Sequence, residues 1–253
     1  MTIPLQHGLV YGPVRSRRLG QSLGVNLLPG DDKVCNFNCP YCQYGWTPAD
    51  TRAHLGRLEW PAPARVAEAV EEALGSRPSV DRITLAGNGE PTLHPVFREV
   101  VERLRDVRDR RAPKARLAIL SNSSTVADRD IAAALVRLDE CYMKLDCGDD
   151  ALLRRMNGCT TGVEPIVKGL SELGAVILQS MFTRDAEGRI DNTTDDAVAE
   201  WLGAVRRVRP IGVHVYSIDR PPAWSPLKRV PRPALQAIAR RVELLGIPAS
   251  VFA

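Results

Sequence analysis

The sequence predicts an α/β fold built on a parallel sheet, and three observations carry that expectation. Strand-like and helix-like apolar patterns alternate six times along the chain. Connections of that kind return each strand parallel to the last through a right-handed crossover. The composition, 44% hydrophobic and 25% charged, is that of an ordinary globular protein and excludes disorder, collagen and coiled coil.

The elements follow in order. Ser22–Leu28 is an apolar run closed by Pro29-Gly30, so it reads as a first strand. Residues 62–74 place Val66, Val70, Ala73 and Leu74 on one helical face, with Glu68, Glu71 and Glu72 opposite. Arg82–Ala86 reads as a strand, and 95–108 as a helix carrying Phe97, Val100, Val101, Leu104 and Val107. Strands at Arg116–Leu120, Cys141–Asp146, Ala175–Phe182 and Ile211–Tyr216 alternate with helices at 127–138, 162–173, 194–208 and 232–245. Ala249–Phe252 is a short final strand. Periodicity alone leaves two architectures open, an incomplete barrel and a doubly wound sheet. Both put ligands at the C-terminal ends of the strands.

At 253 residues the chain has room for a full hydrophobic core. It has no run of about eighteen apolar residues, so no membrane partner is expected. Its start, Met1 to His7, lacks the basic and apolar regions of a signal peptide, which makes a cytoplasmic location the expectation. The net charge of +4 permits a nucleic-acid partner without requiring one. All but five of the 34 basic residues are arginine, the side chain suited to phosphate and carboxylate, though base composition alone produces the same bias.

The chemistry concentrates in Cys35-Asn-Phe-Asn-Cys39-Pro-Tyr-Cys42. Three thiolates in one short loop can wrap one metal centre. A structural zinc site normally takes four protein ligands, and no fourth cysteine or histidine lies nearby. An iron–sulfur cluster held by three thiolates keeps one iron open. Gly87-Asn88-Gly89-Glu90-Pro91 follows the second strand, where glycines let backbone approach a ligand and a carboxylate or carbonyl accepts from an ammonium. Ser121-Asn122-Ser123-Ser124 ends the third strand, as a ligand contact or as a helix N-cap cluster. Lys144 and Asp146, two apart on a strand, share a face; an inward pair is favoured over an outward one because Met143 and Leu145 suit packing on helices. Gln179, His214 and Tyr216 are polar positions in apolar strands, and Asp219-Arg220 follows them; these are candidates for a substrate cavity. For His214 a satisfied core histidine is the equal alternative. Segments 183–193 and 219–233 are candidate substrate-reading loops. Cys141, Cys147 and Cys159 read as buried free thiols. Arg15, Arg17 and Arg18 form either a phosphate site or a solvated turn.

The cysteine spacing, with Tyr41 before the last thiol, resembles the signature of the radical S-adenosylmethionine (SAM) superfamily. The Gly87–Pro91 turn resembles the second motif of that superfamily. Tyr11–Asn26, Lys144-Leu-Asp146, Leu178–Phe182 and Tyr216–Pro222 also resemble its wyosine-synthase-like subgroup. The resemblance implies a single domain over 1–253: an N-terminal segment to residue 34, a cluster loop at 35–42, and a partial (β/α)6 TIM-like barrel beyond. It implies one 4Fe–4S cluster on Cys35, Cys39 and Cys42. It implies SAM held by Gly87, Asn88, Gly89, Glu90 and Pro91, with Tyr41 near adenine and with Ser121, Asn122, Ser123, Gln179 and Tyr216 as further contacts. Reductive cleavage would yield a 5′-deoxyadenosyl radical that takes hydrogen from substrate. Lys144 and Asp146 are then the catalytic candidates, and His214, Asp219 and Arg220 the substrate candidates. Wyosine synthases hold a second cluster on cysteines upstream of this motif, and no cysteine precedes Cys35 here. Tricyclic base synthesis is therefore not carried over. No fused flavodoxin domain is present, so a separate flavodoxin or ferredoxin is the expected electron donor. The substrate expected is a small molecule or a nucleotide such as a tRNA base. The alternatives are an activating enzyme for a glycyl-radical or peptide partner, and a non-enzymatic iron–sulfur or zinc module.

Overall fold

The computed structural model describes residues 2–30, 32–76 and 79–253. The chain opens with an antiparallel hairpin, β1 (Val10–Ser16) and β2 (Gly20–Val25), whose register slips between Tyr11 and Val14. The cysteine loop follows, then α1 (Ala49–Ala53) and α2 (Pro63–Ser76). Alternation then sets in: β3 (Arg82–Leu85), α3 (Phe97–Arg111), β4 (Arg116–Ser121), α4 (Arg129–Leu135) and β5 (Glu140–Lys144). Two helices, α5 (Asp150–Asn157) and α6 (Val163–Leu173), lead to β6 (Val176–Arg184). The chain ends with α7 (Asp195–Val208), β7 (Gly212–Ser217), β8 (Lys228–Arg229), α8 (Arg232–Glu243) and β9 (Ala249–Phe252).

The strand order is β1-β2-β3-β4-β5-β6-β7-β9, with β8 paired to β6 off this path. Every neighbouring pair from β2 onward on the main path is parallel. The order never reverses, whereas a doubly wound sheet must reverse at its switch point. Right-handed crossovers that always step the same way put all helices on one face and leave the other face as the inside of an incomplete barrel. The sheet curls far enough that Arg17, in the β1–β2 turn, reaches the Ala253 carbonyl at 3.0 Å and the Asp219 carboxylate at 2.7 Å across the seam.

The helix-facing side is the core. Leu23, Val25, Ile83, Leu85, Leu117, Ile119, Met143, Leu178, Val213 and Val215 pack there against Val66, Val70, Val100, Leu104 and Leu235. Each such fully buried aliphatic side chain contributes about 1.5–3 kcal/mol of transfer free energy. The inner face is mixed: Leu19, Ala118, Leu120, Tyr142 and Ile177 form a small apolar cluster there, and polar side chains gather toward the C-terminal ends of the strands. Registers align Lys144 with Gln179 and Gln179 with His214, and Met181 with Tyr216. Lys144 and Asp146 therefore belong to the concave side.

Four elements escape the sequence reading: β1, α1, α5 and β8. The strand expected at Ser22–Leu28 is second, not first, and ends at Val25, after which the Asn26 N–H donates to the Leu9 carbonyl at 2.8 Å. Helix α5 does carry local signals. Asp149 caps it by accepting from the Leu152 N–H at 2.7 Å, and Gly158 ends it at φ 55°. A Cβ on Gly158 would stand 2.6 Å from the Asn38 carbonyl oxygen, so glycine is also what lets α5 close on the cysteine loop. Among the described residues no helix is long and apolar enough to cross a membrane.

Candidate active site

The cysteine loop lies over the C-terminal end of β3. Val34 and Gly89 form a parallel bridge: the Val34 N–H donates to the Asn88 carbonyl at 2.9 Å, and the Glu90 N–H donates to the Val34 carbonyl at 3.0 Å. A Cβ on Gly89 would fall 1.7 Å from the Val34 oxygen, so only glycine permits this approach. The two motifs are thereby one structure. Cys35, Phe37, Cys39, Tyr41 and Cys42 all line a cavity of about 450 Å³ at the mouth of the barrel, while Asn38 and Pro40 face away from it. The Cys42 N–H donates to the Cys39 carbonyl at 3.0 Å, a turn that brings the third thiol to the cavity.

Glu90 is buried and fully engaged. Its carboxylate accepts from the Thr92 N–H (3.1 Å), the Thr92 hydroxyl (2.6 Å), the Ser121 hydroxyl (2.9 Å) and the Asn122 N–H (2.6 Å). Burial pushes its pKa up, against the pull of those donors. The side chain ties the β3 turn to the β4 turn, and its neighbour Asn122 donates to Asn36 at 2.9 Å and reaches the Cys35 sulfur at 3.6 Å.

A second node surrounds Asp146, which is buried. Its carboxylate accepts from the Tyr41 hydroxyl, from Asn157 Nδ2 (2.9 Å) and from the Met181 N–H (2.8 Å), and it lies 3.5 Å from Lys144 Nζ. Lys144 donates to the Tyr216 hydroxyl at 2.8 Å and lies 5.0 Å above the centre of the Tyr41 ring. Burial pulls the Lys144 pKa down, but Asp146 and Tyr216 outweigh it, so the ammonium stays charged and its pKa ends above the ordinary lysine value. On the far wall, Arg18 donates to Gln179 Oε1 at 2.9 Å and stacks 4.8 Å over the Tyr216 ring. Gln179 Nε2 is buried and has no hydrogen-bond partner among the described residues.

Sequence reading missed Asn157. Completely buried at the end of α5, it donates to the Tyr41 hydroxyl at 2.6 Å and reaches the Cys39 sulfur at 3.4 Å, and its carbonyl accepts from the Asn38 N–H at 2.8 Å. Its position was readable only through the Asp149 and Gly158 caps. An Asn157→Ala substitution is expected to cost about 1–3 kcal/mol by removing a buried donor that serves two nodes, measured by urea unfolding of the apoprotein.

Not every expected residue reaches the cavity. Gly87, Gly89, Glu90, Ser121, Asn122, Lys144, Gln179, Tyr216, Asp219 and Arg220 line it; Asn88, Pro91, Ser123, Asp146 and His214 do not, Asp146 lying buried behind Lys144 and Tyr41. Asn88 instead clasps the N-terminal segment through paired bonds to Gln6 at 2.8 and 2.9 Å. Pro91 starts a buried 3-10 turn, and Ser123 sits buried at φ 69°. His214 packs between Tyr142 and Phe252, with ring centres 5.6 and 4.8 Å away. The aromatic neighbours exclude it from the cavity wall. Segment 183–193 also misses the cavity. It folds back through Asn192, which donates to the Asp146 and Met181 carbonyls at 3.0 and 2.7 Å.

Burial, with the Arg18 charge adding to it, lowers the His214 pKa to about 4. The unfolded chain titrates near 6.5 and so binds the proton more readily than the fold does. This group's stabilisation is complete above about pH 6.5 and is lost as the pH falls through 4. A His214→Phe variant is therefore expected to lose less stability than the wild type between pH 7 and 4, by roughly 2–3 kcal/mol, when denaturation midpoints are compared across that range. Equal acid sensitivity in the two proteins would remove His214 as the cause.

The three cysteines suit a polynuclear centre. Among the described residues no three Cys, His, Asp or Glu side chains gather closely enough to clasp one ion. A cubane cluster asks for thiolates on separate irons, spread around a shared volume, and all three thiols face one cavity. Cys35 and Cys39 are nearly buried, and burial raises both thiol pKa values, Cys35 to about 12. Of the remaining thiols, Cys141, Cys147 and Cys159, all are buried and none lines the cavity.

A cavity with three such thiols at the C-terminal mouth of an incomplete barrel defines an iron–sulfur enzyme class. Comparison with known proteins gives the family: residues 33–222 match the Radical SAM superfamily, and the chain belongs to it. Members of that superfamily use a 4Fe–4S cluster and SAM. The chain is 35% identical over 229 residues to the UPF0026 protein MJ1312 of Methanocaldococcus jannaschii, covering 87% of this chain and 66% of that one. It is 30% identical over 233 residues to the UPF0026 protein slr1464 of Synechocystis, covering 87% and 78%. A radical SAM methyltransferase from Sphaerobacter thermophilus shares the fold, with a TM-score of 0.62 over 91% of this chain and 65% of that one at 16% identity. The chain thus spans about two-thirds of two of these three.

Proposed function

We propose that this chain reductively cleaves SAM and uses the resulting 5′-deoxyadenosyl radical to take hydrogen from an anionic small molecule or nucleotide. The observation that carries this reading is the opening of Cys35, Cys39 and Cys42 onto one cavity, directly beside the glycine turn of β3. Those three thiolates are the cluster ligands, and the bound cluster supplies the electron that breaks the sulfonium bond of SAM. The protein supplies placement. Glu90 already holds four donors, so it fixes the turn. The Asn88 and Glu90 carbonyls are taken by the Val34 and Leu93 N–H groups, and the carbonyls of the cavity-lining Gly87 and Gly89 are the ones left to accept from the methionyl ammonium. Ser121 and Asn122 stand beside it, and Tyr41, Gln179 and Tyr216 wall the cavity toward the nucleoside. Lys144 keeps its proton and presents a fixed positive charge to an anionic group, with Asp146 holding it in place. The near-burial of Cys35 and Cys39 keeps water and oxygen from the chemistry.

Substrate class follows from the rim. Arg15, Arg17, Arg18 and Arg220 line the mouth, against Asp219. Within the superfamily, the segments Tyr11–Asn26 and Tyr216–Pro222 support a place near the wyosine-synthase-like subgroup. Separate flavodoxin or ferredoxin serves as reductant. Six free thiols and an oxygen-sensitive cofactor suit the cytoplasm.

The test is anaerobic reconstitution, with EPR of the reduced protein recorded with and without SAM and 5′-deoxyadenosine assayed. A single 4Fe–4S signal that shifts with SAM, together with 5′-deoxyadenosine, is expected. A zinc-loaded protein, or a signal indifferent to SAM, would sink the reading. If a tRNA is the substrate, its apparent affinity should fall steeply between 50 and 200 mM salt, as phosphate contacts require.

A further inference from the structure

The cysteine loop is a wall with two faces. Its inner residues line the catalytic cavity, and Asn38 and Pro40 line a separate groove of about 520 Å³ on the other side. That groove is built from Trp46, Trp224, Pro40 and Ile190, with Arg52, Arg155 and Arg189 around them and no Asp or Glu among the described residues of its lining. Trp46 is 48% exposed, a large apolar side chain in the open. The Trp224 N–H donates to the Pro40 carbonyl at 2.8 Å, so the aromatic wall is fixed to the cysteine loop itself.

The arginines divide by role. Arg189 stacks 4.8 Å over the Trp224 ring and is paired with Asp185 and Glu187 at 3.2 and 2.9 Å, so its charge is largely met within the chain. Arg52 and Arg155 are exposed and have no ion pair among the described residues. A groove with tryptophan walls, an arginine rim and no acid is the composition of an interface core rather than of bulk surface. Its charge calls for an acidic partner, and its position names what that partner does: one strand of backbone separates it from the three thiols.

We propose that this groove docks a flavodoxin-type one-electron carrier, whose apolar flavin edge enters between Trp46 and Trp224 while carboxylates around it meet Arg52 and Arg155. The inference rests on the cluster occupying the cysteine loop. In the transfer, the flavin hydroquinone anion is oxidised to the neutral semiquinone, the cluster gains that electron, and no proton changes hands. A ferredoxin offers acidic charge but no flat apolar edge to fill the tryptophan cleft. A nucleic acid would suit arginine and tryptophan together, but its reacting base belongs in the cavity on the other side of the loop.

The test compares the wild type with an Arg52→Glu/Arg155→Glu variant and, separately, a Trp46→Ser variant. None of these residues lines the catalytic cavity. Binding of oxidised flavodoxin is titrated calorimetrically, and 5′-deoxyadenosine formation is driven either by reduced flavodoxin or by dithionite. Charge reversal is expected to weaken flavodoxin binding and the flavodoxin-driven rate at least tenfold, to abolish their salt dependence, and to leave the dithionite-driven rate within twofold. Trp46→Ser is expected to weaken binding without changing the salt dependence. Unchanged flavodoxin binding in both variants overturns the proposal, as does a loss confined to ferredoxin or to RNA. Absence of SAM cleavage with dithionite in the wild type is a different failure, that of the catalytic reading beneath it.

Discussion

An Asp146→Ala variant should be one of the least stable single substitutions in this protein, losing about 3–5 kcal/mol in urea or thermal unfolding of the apoprotein. The carboxylate is the common acceptor for Tyr41, Asn157 and the Met181 N–H, and the counter-charge for Lys144. Alanine leaves three buried donors unmet and a cation without its partner. Lys144 keeps 18% of its side chain exposed, toward the cavity, so water there can solvate it, and the lower end of the range applies to the charge alone. The lost hydrogen bonds supply the rest. In a Lys144→Met background, Asp146→Asn should cost clearly less than it does alone, because the charge it balanced is gone. Additive losses would mean that the two groups are not coupled. Asp146→Ala also frees Tyr41, which belongs to the cysteine loop, and Asn157, which holds that loop from outside, so it is also expected to slow cluster reconstitution.

The barrel and most of its mouth were legible because each signal was local. Strand and helix patterns alternate cleanly, and the cysteine loop and Gly87–Pro91 lie in sequence where the fold uses them. The choice between a barrel and a doubly wound sheet was not legible, since strand order is a property of crossovers rather than of any segment. Residues serving remote partners were harder still. Glu90 reads as a ligand for an ammonium, yet four donors from its own chain occupy it. His214, a polar residue in an apolar strand, reads equally as a cavity residue or as a core histidine, and what decides between them is remote in sequence: Tyr142 and Phe252 pack against its ring. Asn157 has no motif at all. Its importance arises from a helix that exists because Asp149 caps it and Gly158 ends it against the cysteine loop. The β1–β2 hairpin hid for another reason: its arginines read equally as a phosphate site or a solvated turn, and only the curl of the sheet brings Arg17 and Arg18 to Asp219, Gln179 and Tyr216.

Replacing Cys39 by alanine should separate folding from chemistry. The thiol is nearly buried, but its contacts within the chain are weak ones to Asn157, at 3.4 Å to Nδ2 and 3.7 Å to the carbonyl. Losing them is worth about 1 kcal/mol, so the apoprotein should fold with a nearly unchanged denaturation midpoint. The cofactor has no such margin. Three thiolates are the whole ligand set that the chain brings to the cavity, because Cys141, Cys147 and Cys159 all lie outside it. The variant is therefore expected to bind little iron on anaerobic reconstitution, to lack the 4Fe–4S EPR signal, and to form 5′-deoxyadenosine only at the uncatalysed background. Cys35→Ala and Cys42→Ala should behave alike, whereas Cys141→Ser and Cys159→Ser should keep full iron content and activity after a modest loss of stability. That contrast also decides between an enzyme and a binding module. A variant of Cys39 that still held iron and cleaved SAM would show that the cluster is held elsewhere, and a wild type that bound iron in the three-thiol loop without cleaving SAM would leave only the binding module.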